Sequence, residues 1–472
     1  MSARGEVPAS VLIRGGTVAT AADVYPADVL IEDGAIAAIG RLPDAAAAET
    51  IDAAGCYVLP GGVDPHVHFQ TPTGGTWTCD SFTTGTVAAA HGGVTSAIHF
   101  CVQEPGEPLD ATVARWRGLL DDSPPVVDVG FHAMVTDLST PELRAGLRSL
   151  PALGVSTFKV FMSGESMLDG GTLLATLQEA ARCGAMVMVH AEDGEAIDLL
   201  VAEALAAGRV APRHHATTRP PETEALAVAR AIGLARLAGA SLYVVHVSSA
   251  QALRVVAEAR AAGADVTGET CPQYLLLDER CLDGDPDEAA KYLFTPPPRT
   301  PADQEALWDG LARGELAVVA SDHGGFPLAA KRGHADFTRI PQGLPGVETR
   351  LGLLHHHGVR SGRLSLSRLV ELLSANPARR FGLYPRKGAI AVGSDADVVV
   401  FDPERRTTIA AAALHSATDY SPYDGWEVVG APRAVLVRGR VVVRDGELEA
   451  EPGHGAYLPR AVTGARRAGV AA

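Results

Sequence analysis

The sequence predicts an α/β protein: a (β/α)8 TIM-like barrel with a small β-sandwich domain built from both termini. Three observations carry this. Across the middle of the chain, eight short apolar runs alternate with Ala- and Leu-rich stretches of helical character. Parallel strands need crossover helices, so the alternation argues for a parallel sheet closed into a barrel. The two ends instead carry short β-branched runs broken by Gly-Gly, Asp-Gly and Ala-Gly, the composition of strands and tight turns. A length of 472 residues allows two or three domains at roughly 100–200 residues each.

The elements follow in order. VLIRGGTV, ADVLIEDGAIAAIG and IDAAGCYVLP place strands in residues 1–58, the first part of the sandwich. The barrel is expected over 59–388, a plausible length for that fold with insertions. Its strands are predicted at 63–69, 94–100, 127–135, 157–162, 185–192, 242–248, 264–271 and 317–323. GTLLATLQEAARCG and ETEALAVARAIGLARLAG are examples of the helices between them. Residues 389–450 return to the sandwich with SDADVVVFDP and RAVLVRGRVVVRDGELE, the latter a hairpin ending in an Asp-Gly turn. Residues 451–472 are rich in Gly, Ala and Arg, without periodicity, and are expected to form a C-terminal tail or surface arm.

Composition narrows the class. With 47% hydrophobic and 20% charged residues, the chain can bury a large core. Its formal charge of −16 repels phosphate backbones and acidic lipid, so nucleic-acid and membrane partners are not expected. No apolar run reaches the ~18 residues of a spanning helix, and the opening MSARGEVPASVLIRGG lacks the apolar stretch of a secretory signal. Six scattered cysteines without a C-x-x-C pair read as reduced thiols of a cytoplasmic protein.

The chemistry is concentrated at the predicted strand ends. His66, His68, Lys159, His190, His246 and Asp322 all fall near the C-terminal ends of apolar runs. In a barrel those ends converge on one face, where active sites are built. A lone His or Lys at such a place is ordinarily a satisfied rim residue or a snorkelling side chain. Four His, one Lys and one Asp recurring together are hard to assign to packing. His66 and His68 sit at i and i+2, so both imidazoles point to one face and can reach one cation. Imidazole suits Zn2+, with Co2+ or Mn2+ as substitutes. A protonated Lys159 would repel a metal, but a neutral one reacts with CO2 to give a carbamate, an anion able to bridge two cations. A carboxylate such as Asp322 can bind a metal and take a proton from water whose pKa the cation has lowered towards ~7. This is hydrolytic chemistry, and no G-x-S-x-G elbow, Cys–His pairing context or P-loop competes with it.

The segments that surround these residues form an ordered set. LPGGVDPHVHF, GGTWTCDSFTTGTVAAAHGGVTS, TFKVFM, VHAEDGEAI, VVHVSS, GETCPQYLLLD, KYLFTPPPR, ASDHGGF and YPRKGAIAVGSDADVVVFDP follow one another along the chain. On them the chain resembles the cyclic amidohydrolases of the amidohydrolase superfamily, in the hydantoinase/dihydropyrimidinase branch, over nearly its whole length. The resemblance implies a metal-dependent hydrolase that opens the C–N bond of a cyclic amide or ureide to an N-carbamoyl amino acid. It implies two divalent metal ions, foremost Zn2+. His66 and His68 would hold the more buried one with Asp322, and His190 and His246 the second. Lys159, as N6-carboxylysine, would bridge them, and Asp322 would first accept and then donate a proton. It also implies a homo-oligomer, tetramer or dimer.

The departures from that family bear on the substrate. The branch has a Tyr shortly after the bridging lysine, and Gly164 stands at that position. Thr295 replaces a Ser and Gln342 an Asn, at positions where the resemblance implies binding of the cyclic amide mainly through backbone groups, so these two changes are mild. Loss of the Tyr removes an expected oxyanion donor and leaves space that Trp77, Phe69 or Phe161 are candidates to line. Allantoinases also lack that Tyr, so an allantoinase-like or other cyclic ureide or imide hydrolase, or a cyclase running in reverse, is the alternative. A dihydroorotase is disfavoured because Phe69, Gln70 and Thr71, not an Arg, follow His68. A non-catalytic interaction protein of the same fold would lack the ligands, whereas all six are present.

Overall fold

The computed structural model describes residues 10–73 and 75–464. Eight parallel strands run in sequence order: Gly62–Val67, Val94–Val102, Asp128–Met134, Thr157–Phe161, Met186–His190, Ser241–Val244, Val266–Thr270 and Val318–Val319. The ring closes where Val67 bridges His323 in parallel and the His68 N–H donates to the His323 carbonyl at 2.7 Å. Nearly every strand residue is buried, as parallel strands covered by helices must be.

Caps turn the chain from strand to helix at the functional ends. Asp193, three residues after His190, accepts the Ala196 N–H and starts helix Gly194–Ala206. Ser249, three after His246, accepts the Ala252 N–H and starts helix Ala250–Ala261. Such caps satisfy backbone donors that a helix start leaves open. Each histidine is therefore held between a paired strand and a capped helix.

Both ends of the chain build one nine-stranded mixed sheet. Tyr57–Pro60 joins them, running antiparallel to the strand Val398–Thr408 and parallel to Ser10–Ala19. Val11, Ile13, Val29, Val58, Val398, Val400 and Leu436 share its core, so neither end completes the unit alone. Asp33-Gly34, Arg438-Gly439 and Asp445-Gly446 have positive φ at both residues, the geometry of tight hairpin turns. The joint to the barrel is ionic: the buried Lys387 Nζ lies 2.8 Å from Asp128, 2.9 Å from Asp397 and 3.0 Å from Asp395.

Residues 451–464 cross the barrel end opposite the histidines. Backbone bonds link Ala456 and Leu458 to Val129, and the buried Arg460 donates to Thr157 Oγ1 at 2.8 Å. The first nine residues, part of the segment read as lacking a secretory signal, lie outside the described residues. So do Gly74 of the GGTW turn and the end of the C-terminal segment from 465. Among the described residues no helix is long and apolar enough to cross a membrane, and none of the six cysteines is in a disulfide.

Candidate active site

His66 and His68 leave the first barrel strand side by side, and Asp322 meets them from the eighth. Asp322 Oδ1 lies 3.1 Å from His66 Nε2 and 3.4 Å from His68 Nε2. One ligand atom from each of the three falls within 4.8 Å of the others. The His246 ring stands 5.7 Å from His66, and His246 Nε2 is 2.9 Å from His190 Nδ1. Phe100 floors the group, its ring 4.9 Å from both His66 and His68 and 5.2 Å from Lys159 Nζ. All six sequence-predicted residues thus converge on one barrel mouth. The side chain of Asp322 keeps 16% of its exposure while His66 keeps 1%, so the carboxylate faces the opening.

Buried carboxylates orient the rings. Glu269 Oε1 accepts from His66 Nδ1 at 2.7 Å and from the His246 N–H at 3.1 Å, and Oε2 accepts from the Tyr243 hydroxyl at 2.8 Å. Glu192 accepts from His190 Nε2 at 2.7 Å and is paired with Arg219 at 3.1 Å. These bonds leave His66 Nε2 and His190 Nδ1 free to turn inward, the usual support for a ligating imidazole. A further buried pair, His323 with Asp80 at 2.9 Å, braces the closing strand. His246 and Asp322 both adopt left-handed backbone, at φ +40° and +53°. A non-glycine residue there costs about 1–3 kcal/mol, and such strain collects at functional sites.

The electrostatics call for positive charge. Burial disfavours a charged His66, but the carboxylates of Asp322 and Glu269 outweigh it and push the imidazole up to about 9. Burial pulls His68 down to about 4 and lowers His190 and His246. Burial also opposes ionisation of Asp322, yet His66 and His68 hold its carboxyl well below the usual range. Without a cation the carboxylates thus draw a proton onto one of their histidines, and metal binding would displace it. Burial pushes Lys159 down to about 8, and among the described residues it forms no ion pair. Neutral imidazoles, a carboxylate and an easily neutralised amine fit divalent cations of the zinc type.

The three positions expected to read the substrate are placed as follows. Thr295 Oγ1 is hydrogen-bonded to Gln342 Oε1 and lies 3.2 Å from His215 Nε2. Gly164 sits in the turn after the Lys159 strand at φ +76°, and a Cβ built there meets nothing within 4 Å. Of the three candidate pocket aromatics only Phe161 reaches the histidines, stacking on His190 at 5.4 Å. Phe69 is instead core, buried against Phe82 and His323, because Gly85 leaves room for its ring. Trp77 is 55% exposed on a short hairpin. Sequence reasoning missed Glu192 and Glu269 as site residues. The first had a signal, a carboxylate two residues after a strand-end histidine; the second was a single charge inside ADVTGETC.

Residues 57–442 match the model of a family described as the amidohydrolase family. The chain belongs to the amidohydrolase family. Within it, the chain is 47% identical over 458 residues to a D-hydantoinase of Geobacillus stearothermophilus, covering 96% of this chain and 97% of that one. It is 42% identical over 462 residues to a D-phenylhydantoinase of Escherichia coli, covering 95% and 98%. The crystal structure of a dihydropyrimidinase from Brevibacillus agri superposes with a TM-score of 0.93 at 46% identity, covering 96% and 99%. This amidohydrolase is therefore an enzyme of the hydantoinase branch, a hydrolase with a small-molecule substrate and a divalent metal centre.

Proposed function

We propose that this amidohydrolase opens the C–N bond of a hydantoin or dihydropyrimidine ring to give an N-carbamoyl amino acid. The reaction class, hydrolysis of a cyclic amide, follows from relatives 42–47% identical over at least 95% of the chain. The observation that carries the site assignment is the convergence of His66, His68 and Asp322 ligand atoms within 4.8 Å, beside the His190–His246 pair.

His66, His68 and Asp322 would hold one cation and His190 and His246 a second, with Lys159 as a carbamate between them. Zn2+ suits this donor set best, with Co2+ or Mn2+ as alternatives. Bound there, such ions supply Lewis acidity and acidify water at neutral pH. Asp322, facing the mouth, takes the proton of the attacking water on its carboxylate. It returns that proton to the ring nitrogen as the new C–O bond forms and the C–N bond breaks. Thr295 and Gln342 position the amide. Glu269 and Glu192 hold the imidazoles in place, and Phe100 and Phe161 exclude water from the Lys159 side.

The acidic chain, without a disulfide among the described residues, fits a cytoplasmic enzyme, and its relatedness fits a homotetramer or homodimer. Gly164, which stands where the branch has a Tyr, supports a second reading, an allantoin-type ureide as substrate. Assaying the metallated protein on hydantoin, dihydrouracil, allantoin, dihydroorotate and cyclic imides tests the reading. Turnover of at least one with formation of the carbamoyl product is expected, and inertness on all of them would overturn it.

A further inference from the structure

Lys331 is fully buried, yet among the described residues no carboxylate pairs with it. Its Nζ donates to the carbonyl of Leu293 at 3.0 Å and to that of Gly343 at 2.6 Å. Phe326 and Tyr420 present their rings 5.9 Å away. Burial pushes the amine down to about 7. Enclosing an ammonium-capable group without a counter-ion is costly, and an apolar residue of similar length would fill the space without that cost.

The two carbonyls explain its presence. Leu293 lies two residues before Thr295, and Gly343 directly follows Gln342, the two side chains that bond to each other beside the site. The segments are also joined by a backbone bond, Gly343 N–H to the Leu293 carbonyl at 3.0 Å, and by packing of Leu293 with Ile340. The Tyr420 hydroxyl adds a weaker bond to Gly343 at 3.3 Å. The second segment is separately anchored to the strand end that carries Asp322, through the Gly324 N–H and the Leu344 carbonyl at 3.0 Å. Removing the amine would therefore alter the spacing of the two segments while Asp322 stays in place.

We propose that Lys331 is a positioning residue that sets the gap between the Thr295 and Gln342 segments and so the grip on the cyclic amide. This rests on the hydrolase reading above. Its test is the split between KM and kcat in Lys331→Met, which keeps the volume and removes the donors. KM for whichever cyclic amide the wild type accepts is expected to rise about tenfold, with kcat within about threefold and metal content unchanged. Tyr420→Phe, which removes the other side-chain donor to Gly343, should raise KM in the same sense. It carries the test if Lys331→Met does not fold. An unshifted KM in the folded variant would overturn the proposal. A wild type inert on every cyclic amide strikes the hydrolase reading instead, so the two failures are distinguishable.

Discussion

Glu269 Oε1 lies 2.7 Å from His66 Nδ1, and both side chains are buried beneath the barrel mouth. The Tyr243 hydroxyl and the His246 N–H saturate the rest of that carboxylate, so one acid orients one ring and pins the backbone of another. Glu269→Gln keeps the shape but offers an amide in place of the charged acceptor. Metal affinity is expected to fall about 10–100-fold, as when the support of a ligating histidine is lost. Competition with a chromophoric chelator measures it, and wild-type affinity in the variant would remove Glu269 from the site.

Elemental analysis should find close to two divalent ions per chain, since four imidazoles, one carboxylate and a carbamate suffice for two. Prolonged chelation should abolish turnover, and Zn2+, Co2+ or Mn2+ should restore it. A fully active preparation free of transition metal is the result that sinks the centre.

Lys159 is enclosed by Phe100 and Phe161, and burial pushes its amine down to about 8, which favours the neutral form that adds CO2. Lys159→Ala should lose much of the metal and nearly all turnover while the barrel stays folded. Short carboxylic acids should restore part of both by standing in for the carbamate. Lys159→Arg should fail too, because a guanidinium stays charged and cannot add CO2. Wild-type turnover in Lys159→Ala would refute the bridge.

The barrel was legible because its active residues interrupt otherwise apolar runs at a regular place, the C-terminal end. Even so, His246 and Asp322 lie past the ends of the strands Ser241–Val244 and Val318–Val319, in left-handed backbone. Nothing along the chain announced that backbone: His and Asp tolerate it better than most residues but usually stand in ordinary backbone. Glu269 was illegible for another reason. Its partner His66 is 203 residues away, so no local spacing relates them, and only closure of the ring brings them together. Residues 451–464 lack periodicity because they attach largely through backbone bonds, to Pro125, Val129, Gly154, Gly382 and Gly184, and through the buried Arg460, with only the adjacent Tyr457 and Leu458 reaching the core. Lys331 stood in an unremarkable AAKRGH, its burial decided by the fold.

Asp322→Asn separates base from ligand. Asn tolerates left-handed backbone better than most residues, so φ +53° poses little obstacle to the variant. It keeps one coordinating oxygen and loses the proton acceptor, so kcat should fall ~10²–10⁴-fold. His66→Ala should lose far more metal than Asp322→Asn. Equal losses would make Asp322 chiefly a ligand and place the base elsewhere.

Gly164 decides how far this enzyme follows its hydantoin-opening relatives. Without a phenol, the developing oxyanion has one donor fewer, and one such donor is typically worth ~10²–10³ in rate. The native protein should therefore turn over unsubstituted hydantoin and dihydrouracil weakly, with kcat/KM below ~10⁴ M⁻¹s⁻¹, and prefer a bulkier ring. Gly164→Tyr tests the cause. The position is left-handed, so any side chain there costs about 1–2 kcal/mol, but nothing lies within 4 Å of the new Cβ to clash. The strain should appear as a few degrees of lost Tm, while kcat on plain hydantoin rises. Should the folded variant show no gain, the missing phenol is not what limits the reaction. Should the native enzyme already exceed that rate on plain hydantoin, Gly164 is a silent departure, and the Phe161 side of the mouth becomes the place to look for the donor.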